Sequence, residues 1–80
     1  MNDPVRNRLH GALQDAIATE KRCAAEFNRA IRMDAREILQ PDSVDLVRRT
    51  GKLYREAQQA VRQATKRFTD YIVTGTVPED

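Results

Sequence analysis

Residues 38–45 read Ile-Leu-Gln-Pro-Asp-Ser-Val-Asp, and this stretch divides the chain into two helical halves. A proline disfavours helical backbone in the residue before it, so Pro41 is expected to end the first helix near Leu39. Because only about three residues then separate the two helical segments, the second helix must run back along the first. The stretch therefore predicts an all-α fold, an antiparallel two-helix hairpin.

The expected helix ends carry residue types that are typical of those positions. Asp3 can cap the first helix, and Pro4 fits its first position, where a missing N–H costs nothing. Asp42 or Ser43 can cap the second helix, and Gly75 is expected to end it. The predicted elements are a first helix at about 4–39, a second helix at about 43–74 and a frayed tail at 76–80, in a single domain spanning 1–80.

The composition limits how such a small domain can be stabilised. A chain of 80 residues has difficulty burying enough apolar area to offset its conformational entropy. Cys23 is the only cysteine and His10 the only histidine, so a disulfide within the chain and a four-ligand zinc site are both excluded. Helix packing and oligomerisation remain, and we expect both.

Apolar residues recur at seven-residue intervals in both halves, the pattern of a coiled-coil seam. The two rows of the first half are Ile17, Ala24, Ile31 and Ile38, and Leu13, Glu20, Phe27 and Asp34. The two rows of the second half are Val47, Tyr54, Val61 and Phe68, and Thr50, Ala57, Ala64 and Tyr71.

The short linker also predicts the register of the hairpin. Residues are expected to lie side by side when their numbers sum to about 82. This register places Phe27 beside Gly51, Tyr54 and Ala57, Ile17 beside Ala64, and His10 beside Tyr71 and Ile72.

A third apolar row makes the band wider than a two-helix contact requires. It comprises Leu9, Ala16, Cys23 and Ala30 in the first half, and Leu46, Leu53 and Ala60 in the second. So broad a band is typical of helices with two neighbours, as in a four-helix bundle, and we expect the hairpin to dimerise into one. The expected self-association seam comprises Leu13, Ile17, Ala24, Phe27, Ile31, Ile38, Val47, Leu53, Tyr54, Ala57, Val61, Ala64 and Phe68.

Glu20 and Asp34 interrupt an otherwise apolar row. Carboxylates at such positions can build metal sites in helical bundles, but those sites also need Glu-x-x-His pairs, and no histidine lies near either residue. We expect instead that Glu20 reaches towards Arg62, and Asp34 towards Arg48 or Arg49, at the edge of the seam. In this interpretation both residues set helix register and assembly.

No pattern in the chain indicates catalysis. No Ser/His/Asp or Cys/His arrangement has credible spacing, and no glycine-rich phosphate loop is present. We expect a protein that is not an enzyme and has no cofactor and no metal. Cys23, on an inward row, is expected to be a small buried apolar residue, with a redox role or a disulfide across a dimer as the alternative.

One side of the second helix is strongly basic. Its cations recur at helical spacing along a stripe about 27 Å long, opposite the apolar seam. The stripe comprises Arg48, Lys52, Arg55, Arg62 and Lys66. It could follow a phosphate backbone, although it lacks aromatic residues for stacking on bases and the whole chain carries a net charge of only +2.

These observations favour a small structural or protein-interaction module that self-associates, with an unidentified protein partner also possible. A nucleic-acid-binding bundle that uses the basic stripe is the alternative, and a carboxylate metal-binding bundle is the third hypothesis. No secretory signal or membrane-spanning run is evident, so we expect a cytoplasmic protein with no membrane partner.

Overall fold

The computed structural model describes residues 3–37 and 41–77, which form two long helices packed against each other. Helix α1 is Pro4–Glu37 and helix α2 is Pro41–Thr74, each of 34 residues. Contacts join the start of α1 to the end of α2, as between Asp3 and Tyr71, so the helices run antiparallel. The all-α hairpin predicted from the sequence is confirmed.

The start of α1 has the predicted cap. The Asp3 carboxylate accepts a hydrogen bond from the Arg6 backbone N–H at 3.0 Å, and its carbonyl accepts one from Asn7 N–H at 3.0 Å. The first bond satisfies a backbone donor that the first turn leaves without a helical partner, and the second is the first backbone hydrogen bond of the helix itself. Pro4 follows as the first helical residue, where no N–H is needed.

Helix α2 begins two residues earlier than predicted, at Pro41 itself. Proline fits the first helical position because it lacks the N–H that would have no acceptor there. Asp42 therefore lies inside the first turn rather than before it, where its carboxylate still faces the positive end of the helix dipole. The expected caps at Asp42 and Ser43 are thus misplaced, and Ile38 and Leu39 lie outside the described residues.

The end of α2 is the predicted one. Gly75 has a φ of +73°, the left-handed conformation that residues with a Cβ rarely adopt. Its N–H donates to the Tyr71 carbonyl at 2.8 Å and closes the last turn. Residues 75–77 are exposed, and the rest of the predicted frayed tail lies outside the described residues.

The register differs from the predicted one by about one helical turn. The His10 ring lies 5.8 Å from the Phe68 ring, centroid to centroid, and Phe27 packs on Gly51, so facing residues have numbers that sum to about 78. The expected contacts of Phe27 with Gly51 and Tyr54 are confirmed, but the expected pairing of His10 with Tyr71 and Ile72 is wrong. Because α1 ends at Glu37 and α2 begins at Pro41, the midpoint of the connection is residue 39 and not residue 41.

Small residues lie between the two helices. Ala30 and Ala57 are 1% and 6% exposed, and Gly51 is also buried. Thr50 is buried as well, and its hydroxyl donates to the Leu46 carbonyl at 2.7 Å. Leu9 is the one large apolar side chain below a tenth exposed among those described, at 7%. The helices therefore approach closely, and most large side chains are displaced from the line of contact.

A side-chain hydrogen bond closes the open end of the hairpin. The Tyr71 hydroxyl donates to the Asp3 carboxylate, at 2.8 Å from Oδ2 and 3.0 Å from Oδ1. The Arg6 backbone N–H and the Tyr71 hydroxyl, both hydrogen-bonded to Asp3, hold the pKa of its carboxyl below the ordinary 3.8. The same bond raises the pKa of the Tyr71 hydroxyl above the ordinary 10.0.

We predict that Tyr71→Phe lowers the melting temperature across neutral pH, because it removes the donor to Asp3. The depressed pKa of Asp3 makes this stabilisation present above pH 3.8 and lost as the pH falls through the folded-state pKa. Because the pKa of Tyr71 is raised, the stabilisation by this hydrogen bond is present below pH 10.0 and is lost as the pH rises through the folded-state pKa of Tyr71. Thermal melts from pH 2 to 11 measure the difference between the two proteins.

Tyr54→Phe is the matched control, because the described residues include no hydrogen-bond partner for the Tyr54 hydroxyl. It should leave the melting temperature unchanged at every pH. A Tyr71→Phe difference that stayed constant from pH 2 to 11 would contradict the assignment of this hydrogen bond.

Candidate functional site

The two broad sides of the hairpin differ in their side chains. On one side the His10 and Phe68 rings lie 5.8 Å apart and the Phe27 and Tyr54 rings 5.9 Å apart, centroid to centroid. We call this side the ring face. A Cβ placed on Gly51 would lie 3.1 Å from Phe27 Cε1, so the glycine makes room for this ring.

The opposite side carries a shallow depression of about 200 Å³. It is lined by Arg8, Leu9, Ala12, Ala64 and Arg67. We call this side the depression face. Two arginines and an apolar floor form an open concavity there.

One predicted seam row of α1 and the third apolar row of α2 lie on opposite faces of the hairpin. Ile17, Ala24 and Ile31 follow His10 at seven-residue spacing, which returns each to the same side of α1, so they lie on the ring face. Leu53 and Ala60 precede Arg67 at the same spacing and lie on the depression face. Leu53 is 49% exposed and Ile31 is 43% exposed. Neither residue lies between the two helices of one chain.

The ring face holds most of the large apolar side chains, and they are only partly covered. Among the described residues, no large side chain is less than 2% exposed. Ile31 and Ile72 are exposed, at 43% and 52%. Those that are half-buried on this face are Leu13, Ile17, Phe27, Val47, Tyr54, Val61 and Phe68. Most of the large residues predicted for the seam therefore form a wide, half-covered apolar surface, whereas Ala57 lies between the helices and Leu53 on the depression face.

Charge also distinguishes the two faces. On the depression face the rows beside the helix contact include Glu26 and Arg67, both exposed. The matching rows on the ring face contain one Asp, Glu, Lys or Arg among the described side chains. That residue is Glu20. Depletion of charge with retention of large apolar groups is typical of the core of a protein–protein interface.

Glu20 does not make the expected ion pair. It is half-buried, and no basic group lies within 4 Å of it in the part of the chain that the structure describes. The register is the reason, because Glu20 lies level with Gln58 while Arg62 is about one turn further along α2. The backbone of Asp34 lies in α1, but its side chain is outside the described residues. Arg48 instead lies 3.7 Å from Asp45 on its own helix.

The cations of the basic stripe are all exposed. The two at its ends have carboxylate neighbours on α2, since Arg48 lies near Asp45 and Lys66 is 3.2 Å from Asp70. The three between them have no carboxylate within 4 Å among the side chains that the structure describes. These three are Lys52, Arg55 and Arg62.

Cys23 is half-buried rather than fully buried, and its thiol is free. His10 Nε2 lies 3.5 Å from the Gln14 side-chain amide. Within the described residues no three His, Cys, Asp or Glu side chains are grouped so that they could hold a metal ion. The described helices also include none that is long and apolar enough to cross a membrane.

No protein-family model matches the chain, and no curated protein or solved structure matches it either. The candidate site therefore depends on the geometry of the hairpin itself.

The fit of Phe27 against Gly51 generates a prediction. In a helix interior, Gly→Ala typically stabilises by about 0.5–1 kcal/mol. We expect that gain for Gly11→Ala, because nothing lies within 4 Å of a Cβ there. For Gly51→Ala the gain should be reduced or reversed, because the new methyl group must displace the Phe27 ring. Urea unfolding of both variants measures the difference, and equal gains would contradict the packing described.

Proposed function

We propose that the protein is a small, non-enzymatic interaction module whose hairpin self-associates through the ring face into a four-helix bundle. The observation that carries the proposal is the half-covered apolar surface on that face, from Leu13 to Ile31 on α1 and from Val47 to Phe68 on α2. A second copy of the same face would cover these side chains with others of the same kind. Isologous contacts of this type are the commonest way in which soluble proteins pair.

The exposed area of the hairpin supports the same proposal. The chain exposes 6358 Å², whereas a compact monomer of 9.2 kDa is expected to expose about 4,900 Å². Its radius of gyration is 17.1 Å, against about 12 Å for a compact domain of this length. The excess area is about 1,400 Å², more than the roughly 800 Å² that each partner buries in a standard interface. One hairpin thus has enough surplus surface for a stable dimer.

Ile31→Lys and Leu53→Lys test the proposed face. The two residues are similarly exposed, at 43% and 49%, and lie on opposite faces, so each substitution introduces the same charge at comparable cost to the hairpin. We expect sedimentation equilibrium at micromolar concentration to give about twice the 9.2 kDa chain mass for the wild type and for Leu53→Lys. Ile31→Lys should sediment as a helical monomer, because it would bury an unpaired charge in the interface.

Three outcomes would count against the proposal. A stably folded wild-type monomer would contradict self-association. Loss of the dimer in Leu53→Lys alone would place the interface on the depression face. Equal loss in both variants would show that the dimer does not distinguish the faces.

A second candidate function is binding to a nucleic-acid backbone through the basic stripe. The observation that favours it is the exposure of Lys52, Arg55 and Arg62 without a carboxylate within 4 Å in the described part of the chain. These cations lie away from the line of contact between the two helices, with Lys52 on the outer side of α2 and Arg55 and Arg62 at the edge of the ring face. Contacts of this kind go to phosphates and carry no sequence information.

A charge-reversal pair tests this second function. Lys52→Glu with Arg55→Glu removes two cations of the stripe, and Arg22→Glu with Arg29→Glu changes the net charge equally on exposed positions of α1. We expect the α2 pair to lower affinity for a fluorescent DNA duplex and to reduce the slope of log affinity against log salt by about 2. The α1 pair should change both quantities less. Absence of wild-type binding at low salt would contradict this function.

A further inference from the structure

Two polar side chains lie at the midpoint of the ring face. Glu20 shares a row with Leu13 and Phe27, and Gln58 follows Gly51 by seven residues, so both belong to this face. They lie level with each other in the observed register, and each is close to the middle of its 34-residue helix. Both are half-buried. A second hairpin on this face would therefore cover a carboxylate and an amide together.

Neither group has a hydrogen-bond partner within the described part of the chain. Covered polar groups need partners, because an unsatisfied one retains its full desolvation cost. The Gln58 amide offers two N–H donors, and the Glu20 carboxylate only accepts. Their hydrogen-bonding capacities are therefore complementary, provided that Glu20 of one copy meets Gln58 of the other.

Two symmetric arrangements can bring the ring faces together. If the two-fold axis is parallel to the helices, the hairpin ends lie on the same side and each α1 packs on the partner's α2. If the axis is perpendicular to the helices, the ends lie on opposite sides and each helix packs on its own copy. Only the parallel axis places Glu20 next to the partner's Gln58. The perpendicular axis, with the helices fully overlapped, would place Glu20 next to the partner's Glu20.

The charges at the rim of the face favour the same arrangement. The outer edge of the ring face on α2, its rim, is formed by the residues four positions after Val44, Gly51 and Gln58. These rim residues are Arg48, Arg55 and Arg62. The corresponding rim of α1, four residues after His10, contains Gln14, Lys21 and Asn28. A perpendicular axis would pack the arginine row against itself, and juxtaposed like charges oppose association. A parallel axis packs it against a row with a single cation.

We propose that the hairpins pair about a two-fold axis parallel to the helices, with both connections at one end, and that Glu20 and Gln58 of the two copies form one polar layer at mid-height. The inference rests on the proposed self-association through the ring face. In this layer each Gln58 amide donates to the partner's Glu20 carboxylate. A single buried polar layer of this kind sets the register of a helical bundle.

Distances between spin labels on the full chain test the arrangement. In a Cys23→Ser background, Asp42→Cys places a nitroxide at the exposed start of α2, and Gln59→Cys places one at its exposed midpoint. With the parallel axis, double electron–electron resonance should give less than about 30 Å at both positions, because helices in a bundle are about 8–10 Å apart. With the perpendicular axis, the distance at position 42 should be about 50 Å, the length of α2 at about 1.5 Å per residue.

The midpoint label separates failure of this inference from failure of the proposed function. A short distance at position 59 with a long one at position 42 would overturn the parallel axis and leave self-association standing. No dipolar coupling at either position, together with the sedimentation mass of a monomer, would overturn self-association as well.

A side-chain exchange tests the polar layer. Gln58→Glu fills the layer with carboxylates, and we expect the dissociation constant of the dimer to rise at least about tenfold. Glu20→Gln combined with Gln58→Glu restores one amide and one carboxylate per chain with their positions exchanged, and should recover most of the lost affinity. Failure of this recovery, or a Gln58→Glu dimer as tight as the wild type, would contradict the layer.

Discussion

The close approach of the two helices along a line of small residues is the constraint on which the rest of the structure depends. Ala30, Thr50, Gly51 and Ala57 are buried at this line, and none fills much volume. Two cylinders that touch along one line cannot also enclose large side chains. Phe27, Tyr54 and Phe68 therefore extend to one side of the contact and remain half-buried, where Phe27 meets Tyr54 and Phe68 meets His10. The ring face is a direct consequence of that division by size.

The connection between the helices determines what faces what across this line. Because α2 begins at Pro41, facing residues have numbers that sum to about 78, and Phe27 meets Gly51. The same register brings Glu20 level with Gln58 and takes Arg62 away from Glu20. At the far end of the hairpin the Tyr71 hydroxyl bonds to Asp3, which also caps α1. One side chain thus ends a helix and joins it to the other.

The hairpin has more surface than a protein of its mass needs, and its charge is unevenly distributed over that surface. The ring face is apolar, the depression face carries Arg8 and Arg67 around a shallow concavity, and the outer side of α2 carries exposed cations. A second copy on the ring face would leave Arg8, Arg67, Lys52 and Lys66 in solvent and would bring Arg55 and Arg62 to the edge of the interface. The proposed self-association and the second candidate, backbone-directed binding of nucleic acid, therefore share the arginines at the edge of the ring face, whereas Lys52 and Lys66 belong to the basic stripe alone.

The amino-acid sequence by itself determined the features that depend on local rules. The cap at Asp3, the left-handed end at Gly75 and the reversal of direction near Pro41 all follow from short stretches of chain. The apolar rows likewise follow from seven-residue spacing, because side chains at that interval return to one side of a helix. Their distribution between the faces does not follow from spacing, because it depends on how each helix is rotated about its own axis. That rotation is decided by which residues allow the closest approach, and only the packed pair showed that Ala30 and Ala57 lie inside while Ile31 and Leu53 lie on opposite outer faces.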